Sequence, residues 1–118
     1  MYTEHNTPSA ETPIQYFVMA WADADIADAM VAWLRDSHLA EVVAQPGFKD
    51  AQVVRMDLRS IEGKVGILSI YSVESSQALQ TYFASAEKKR FEREGGRFAG
   101  KAQVQRFWGS PVVTLSSS

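Results

Sequence analysis

The sequence predicts one α+β domain whose elements run β-α-β-β-α-β. Three observations lead there. Four short runs rich in aromatic and branched residues are interleaved with two stretches of helical apolar spacing. The middle two runs follow one another directly, with Glu62-Gly63 between them as a hairpin turn. A length of 118 residues, 46 % apolar and 22 % charged, suits one core and not two. With short right-handed crossovers, this order makes a split βαβ: a four-stranded antiparallel sheet with two helices on one face.

Ile14 to Ala22 (IQYFVMAWA) is short, aromatic and branched, hence a strand. Asp23 and Asp25 follow, and either could cap a helix. Ile26, Met30, Trp33, Leu34 and His38 then recur at helical spacing until Pro46-Gly47 stops the helix before Gln45. Phe48 to Arg59 reads as the second strand and Val65 to Val73 (VGILSIYSV) as the third, antiparallel to it. Ser75 caps a second helix whose apolar stripe is Ala78, Leu79, Tyr82, Phe83 and Ala86, and Gly95-Gly96 ends it. Ala102 to Trp108 is the fourth strand. The order is that of a ferredoxin-like fold. Residues 1–13 read as a flexible N-terminal tail, 14–110 as the domain and 111–118 as a C-terminal tail.

Composition narrows the classes of function. The net charge of -2 gives no electrostatic reason for nucleic acid or an anionic membrane as a partner. There is no cysteine, which removes disulfides, thiolate catalysis and Cys-built metal sites and fits a reducing compartment. The start of the chain lacks the charged and apolar segments of a signal peptide, and no apolar run approaches the ~20 residues a bilayer needs. A cytoplasmic protein is expected.

Strands alternate side chains between two faces, and a face without helices should be polar in a monomer. Here both registers are apolar: Tyr16, Val18 and Ala20 against Phe17, Met19 and Trp21, and Val65, Ile67 and Tyr71 against Leu68 and Ile70. A bare apolar face asks for a cover. A second copy on the open sheet face, giving a homodimer, supplies it; the C-terminal tail folding over the sheet is the alternative.

Few residues could carry chemistry. His38 lies one turn after Leu34, beside the apolar stripe, where it could be an acid or base in a pocket or a half-buried histidine near a helix C-terminus. Trp33 is core or pocket wall, and Trp21 and Trp108 invite the same two readings. Tyr16, Tyr71 and Tyr82 each join an apolar ring to a hydroxyl that could orient a ligand oxygen. Arg55 and Arg106 sit in strands among apolar neighbours and need a carboxylate or an anionic ligand, with Asp57 available to Arg55. Arg97, after the glycine pair, could close a pocket mouth. The mixed charges from Glu87 to Arg97 read as a solvated helix face. His5 lies in the tail and is expected to be without function. One usable histidine leaves no zinc site, and the third strand lacks the stacking aromatics of RNA-binding modules. The Asp23-Ala24-Asp25 turn repels phosphate, and no serine has a visible base.

The runs WLRDSHLAEVVAQPGF (Trp33 to Phe48), YSVESSQALQTYF (Tyr71 to Phe83) and REGGRF (Arg93 to Phe98) resemble one branch of the dimeric α+β barrel superfamily, described only as a domain of unknown function. The resemblance spans about residues 14 to 108. More distant members are cofactor-free monooxygenases of antibiotic biosynthesis, EthD-like proteins, muconolactone isomerase and polyketide cyclases. The resemblance implies a dimeric barrel with a pocket in each subunit, between sheet and helices, for a small and often aromatic organic ligand. It implies a monooxygenase, isomerase or cyclase without a cofactor, or a non-catalytic binding or dimerisation module. Haem, used by some dimeric barrels, would rest on His38 alone. On this reading His38, Tyr71 and Tyr82 are the catalytic candidates, and Trp33, Arg55, Arg97 and Arg106 the ligand-binding ones, with no metal.

Overall fold

The computed structural model describes residues 2–4, 10–56 and 63–117. Its elements are β1 (Tyr2–Glu4), β2 (Ile14–Asp23), α1 (Ala27–Trp33), a π-helical turn (Leu34–His38), α2 (Leu39–Val43), β3 (Phe48–Arg55), β4 (Lys64–Val73), α3 (Ser76–Phe83), α4 (Ala86–Gly95), a 3-10 turn (Gly96–Phe98), β5 (Ala102–Gly109) and β6 (Val113–Leu115). The main sheet has the order β3-β4-β2-β5, all antiparallel. This is a ferredoxin-like α+β fold. His5, Asp57 and most of the hairpin turn expected at Glu62-Gly63 lie outside the described residues.

The registers fix which side chains share a face. Tyr16, Val18 and Ala20 of β2 lie opposite Tyr71, Ser69 and Ile67 of β4, and this set meets the helices. Phe17, Met19 and Trp21 share the other face with Ile70, Leu68 and Gly66. Met19 and Met56 crowd the space over Gly66, where a Cβ would meet both at 3.0 Å. No helix covers that outer face among the described residues, and Phe107, stacked on Phe17 at 5.2 Å, stays 49 % exposed.

The core under the helices is split in two. One cluster gathers Ile14, Tyr16, Val42, Phe48, Tyr71, Val73, Leu79, Tyr82 and Phe91. The other gathers Ala20, Ala22, Ala27, Met30, Leu34, Ile67 and Phe98. Large residues fully buried here, such as Leu79 and Ile67, each contribute about 1.5–3 kcal/mol through area removed from water.

Local chemistry explains the boundaries, with some departures from expectation. Ser75 caps α3 as its sequence suggests, its Oγ accepting from the Ala78 N–H at 3.0 Å. Ser85 does the same for the Lys88 N–H at 3.1 Å, so the expected second helix is two helices, α3 and α4. Asp23 and Asp25 do not cap α1; its N-cap is Ile26, with no side-chain bond. Their carboxylates pair instead with Lys64 and Lys101, tying the end of β2 to β4 and to the start of β5. The two tails meet each other: Tyr2–Glu4 pairs antiparallel with Val113–Leu115.

Candidate functional site

The two clusters are separated by a cavity of about 260 Å³ between the sheet and the helices. Tyr16, Tyr71, Tyr82 and Phe91 of the first cluster line it, facing Ala20, Met30, Leu34, Ile67 and Phe98 of the second. Trp33, His38, Ser69, Lys88, Glu92 and Arg106 complete the polar and aromatic part of the wall. It is open along β5, an edge strand that pairs only with β2.

The π-helical turn aims His38. In an α-helix, Trp33 and His38, five residues apart, would point about 140° apart. Here the Leu39 N–H donates to the Leu34 carbonyl, an i to i+5 bond, and one wider turn brings the two rings onto the same side. They stack at 4.3 Å with 14° between planes, and Phe91 meets the imidazole edge-on at 5.2 Å. Such turns are frequent at functional sites. Nδ1 of His38 is buried without a hydrogen-bond partner among the described residues. An orphan of this kind costs stability and asks for an explanation.

Burial lowers the His38 pKa below its ordinary 6.5; Glu41 and Glu94 oppose this, and Arg106 and Arg90 add to it. The imidazole is therefore neutral at pH 7, with one nitrogen able to accept a proton. Because the folded chain binds that proton less tightly than the unfolded one, protonation favours unfolding. The stability is fully present above about pH 6.5 and is lost as pH falls through the lower folded-state pKa. Urea unfolding from pH 7 to 5 should show the wild type losing more stability than His38→Phe. Equal losses would mean that His38 does not titrate in this way.

Three tyrosines, Tyr16, Tyr71 and Tyr82, line the cavity, all with pKa values raised by burial. For Tyr16, the Arg106 guanidinium pulls the other way by charge and hydrogen bonding. Tyr16 raises both Tyr71 and Tyr82, while Ser69 offers the Tyr71 hydroxyl a partner. The hydroxyls stay protonated and can donate to a ligand oxygen. Lys88 and Glu92, one turn apart on α4, form an ion pair on the wall.

Of the sequence candidates, His38, Tyr71, Tyr82, Trp33 and Arg106 line this cavity and two do not. Arg55 lies on β3, the edge opposite β5, and bonds Asp28 at 2.8 Å beside a separate shallow groove formed with Val31, Arg35, Leu39 and Val53. Arg97 is exposed, its guanidinium over the rings of Trp33 at 5.8 Å and Phe98 at 4.8 Å, outside the wall those rings form. Lys88 and Glu92, read from sequence as solvated, belong to the wall. Their signal was spacing: Lys88, Phe91, Glu92 and Gly95 fall at i, i+3, i+4 and i+7. Among the described residues no group of three or more His, Asp or Glu side chains could hold a metal ion.

Residues 13–107 match a family described as a domain of unknown function, DUF4286. The chain belongs to this family. No curated protein matches the DUF4286 chain by sequence. Solved structures do resemble it in fold. A monooxygenase of Streptomyces coelicolor, in complex with the ligand nanaomycin D, is 16 % identical with a TM-score of 0.62, over 93 % of this chain and 96 % of that one. A cofactor-independent oxygenase from Streptomyces nogalater is 13 % identical with a TM-score of 0.60, over 85 % and 93 %. A dimeric ferredoxin-like protein from an uncultured marine organism is 13 % identical with a TM-score of 0.63, over 86 % and 97 %. At these identities the likeness shows that DUF4286 shares their fold and nothing finer. No helix among the described residues is long and apolar enough to cross a membrane.

Proposed function

We propose that this DUF4286 protein binds a small aromatic or polyketide-like molecule in the cavity and acts on it as an enzyme without a cofactor, of the oxygenase, isomerase or cyclase type. The observation that carries this reading is His38 on the wall of an aromatic cavity that Tyr16, Tyr71 and Tyr82 also line. A neutral imidazole accepts a proton from an acidic C–H or O–H of the ligand, and a protonated tyrosine donates to the oxygen that gains the charge. Return of the proton to another atom is isomerisation. Attack of the carbanion on the ligand's own carbonyl is cyclisation. Passing its electrons to dioxygen is oxygenation. All three share the first step. The reading includes a second copy on the outer face of Phe17, Met19, Trp21, Leu68, Ile70 and Phe107, and a cytoplasmic setting suited to a chain without cysteine.

A thermal-shift screen of wild type beside His38→Ala tests it, using aromatic hydroxy acids, quinols, lactones, flavin and haem. A ligand at a hundred times its Kd adds about 2.7 kcal/mol, a rise of several degrees for a domain of this size. A wild-type hit that weakens in His38→Ala and is turned over is the expected result. A hit unchanged by the substitution removes His38 from the site. No hit from a protein that light scattering shows to be a stable dimer favours a non-catalytic module.

A further inference from the structure

The charges on the cavity wall do not cancel. Its cations are Lys88 and Arg106 and its one carboxylate is Glu92, so the lining carries +1 (two positive, one negative), His38 being neutral. Glu92 is ion-paired with Lys88, and the Arg106 charge also acts on it without a direct contact. Arg106 has no ion-pair partner within 4.0 Å among the described residues. In a chain of net charge -2, a cation with this outlook stands ready for an anion from outside.

Its position suits that task. Arg106 lies opposite Val18 in the ladder, on the helix side of β5 at the open wall. Its charge reaches Tyr16, Tyr71, Tyr82 and His38. Two residues away on either side, Val104 and Trp108 share its face and remain 43 % and 48 % exposed, flanking the guanidinium with apolar surface. The volume of about 260 Å³ falls below the ~300 Å³ at which pockets for drug-sized ligands begin.

We infer that the cavity takes an acidic compound of one or two rings, its negative charge seated on Arg106 at the β5 wall and its rings among Trp33, Phe98 and the tyrosines. This rests on the small-molecule reading above and narrows it to anions smaller than a fused tricycle. The acid group enters last and stays near water. The ring end reaches His38.

Calorimetric titration with 2-naphthoate and its neutral counterpart 2-naphthalenemethanol tests the inference on wild type, Arg106→Gln and Arg106→Lys. Wild type should bind the acid about tenfold or more tightly than the alcohol, as a hydrogen bond to a charged group predicts. That preference should vanish in Arg106→Gln, return in part in Arg106→Lys, and shrink with added salt, while the alcohol's affinity holds throughout. The exposed edge position of Arg106 keeps these variants folded, which circular dichroism checks. Equal binding of acid and alcohol by wild type, or a preference that survives Arg106→Gln, overturns the charge assignment and leaves the cavity reading standing. Failure of folded wild type to bind either compound overturns both. Binding of 2-anthracenecarboxylate as tight as that of 2-naphthoate overturns the size limit.

Discussion

Gly47→Ala should lower the melting temperature by on the order of ten degrees. Gly47 sits between α2 and β3 with φ of 85°, a left-handed conformation that costs an alanine about 1–2 kcal/mol. There is also no room for a side chain. A Cβ there would come within 2.5 Å of the Ala78 Cβ and 3.3 Å of Glu74 Cγ. Neither neighbour yields easily: Ala78 belongs to the first turn of α3, held by the Ser75 cap, and the Glu74 N–H donates to the Gly47 carbonyl at 2.8 Å. The turn and the helix start are thus locked together, and the combined cost is about 2–4 kcal/mol. Adding Ala78→Gly should recover the part due to the clash and not the part due to φ, a separation that a double-mutant cycle reads directly. A fall of less than 2 °C or so in the single variant would refute the close approach.

His38→Phe should split stability from activity. Phenylalanine keeps an aromatic ring against Trp33 and Phe91 and removes the buried nitrogen that has no partner. Leaving such a group unsatisfied costs about 1–3 kcal/mol, so the variant should be as stable as wild type or more so at pH 7. Turnover of any substrate found by the screen should meanwhile fall about 10²–10⁴-fold, the usual share of a general acid or base. A structural histidine gives the opposite pattern, with destabilisation and intact turnover. That outcome would end the catalytic reading of His38.

Much of this architecture is legible in the sequence because its signals are local. The alternation in IQYFVMAWA and VGILSIYSV marks β2 and β4 nearly to the residue, Ser75 announces a cap, and Pro46-Gly47 announces a stop. Other features are set by packing and leave a weaker trace. The π-helical turn from Leu34 to His38 has no glycine or proline to betray it; an ordinary periodic reading puts His38 beside the apolar stripe and says nothing of its stack on Trp33. Ser85 is a cap hidden inside an apolar stripe that runs through it. The two strand arginines show the limit best. Arg55 and Arg106 look alike in sequence, and both share the helix-side face, opposite Ile67 and Val18. They differ because β3 and β5 occupy opposite edges of the sheet. At the first, against which α2 packs, Asp28 pairs with Arg55 at the surface, while the second lies at the cavity wall. Which edge stays open is a property of the whole assembly of elements, not of either strand.

The exposed strand β5 has a bearing on how such a protein diversifies. Val104, Arg106 and Trp108 share the helix-side face of β5 and are exposed, and none of them belongs to either buried cluster. Changes at buried positions are constrained by packing, whereas exposed ones are usually tolerated within about 0.5 kcal/mol. Descendants of this chain can therefore change the surface they present along a single edge strand, in small heritable steps, while the interior that makes them fold is passed on untouched.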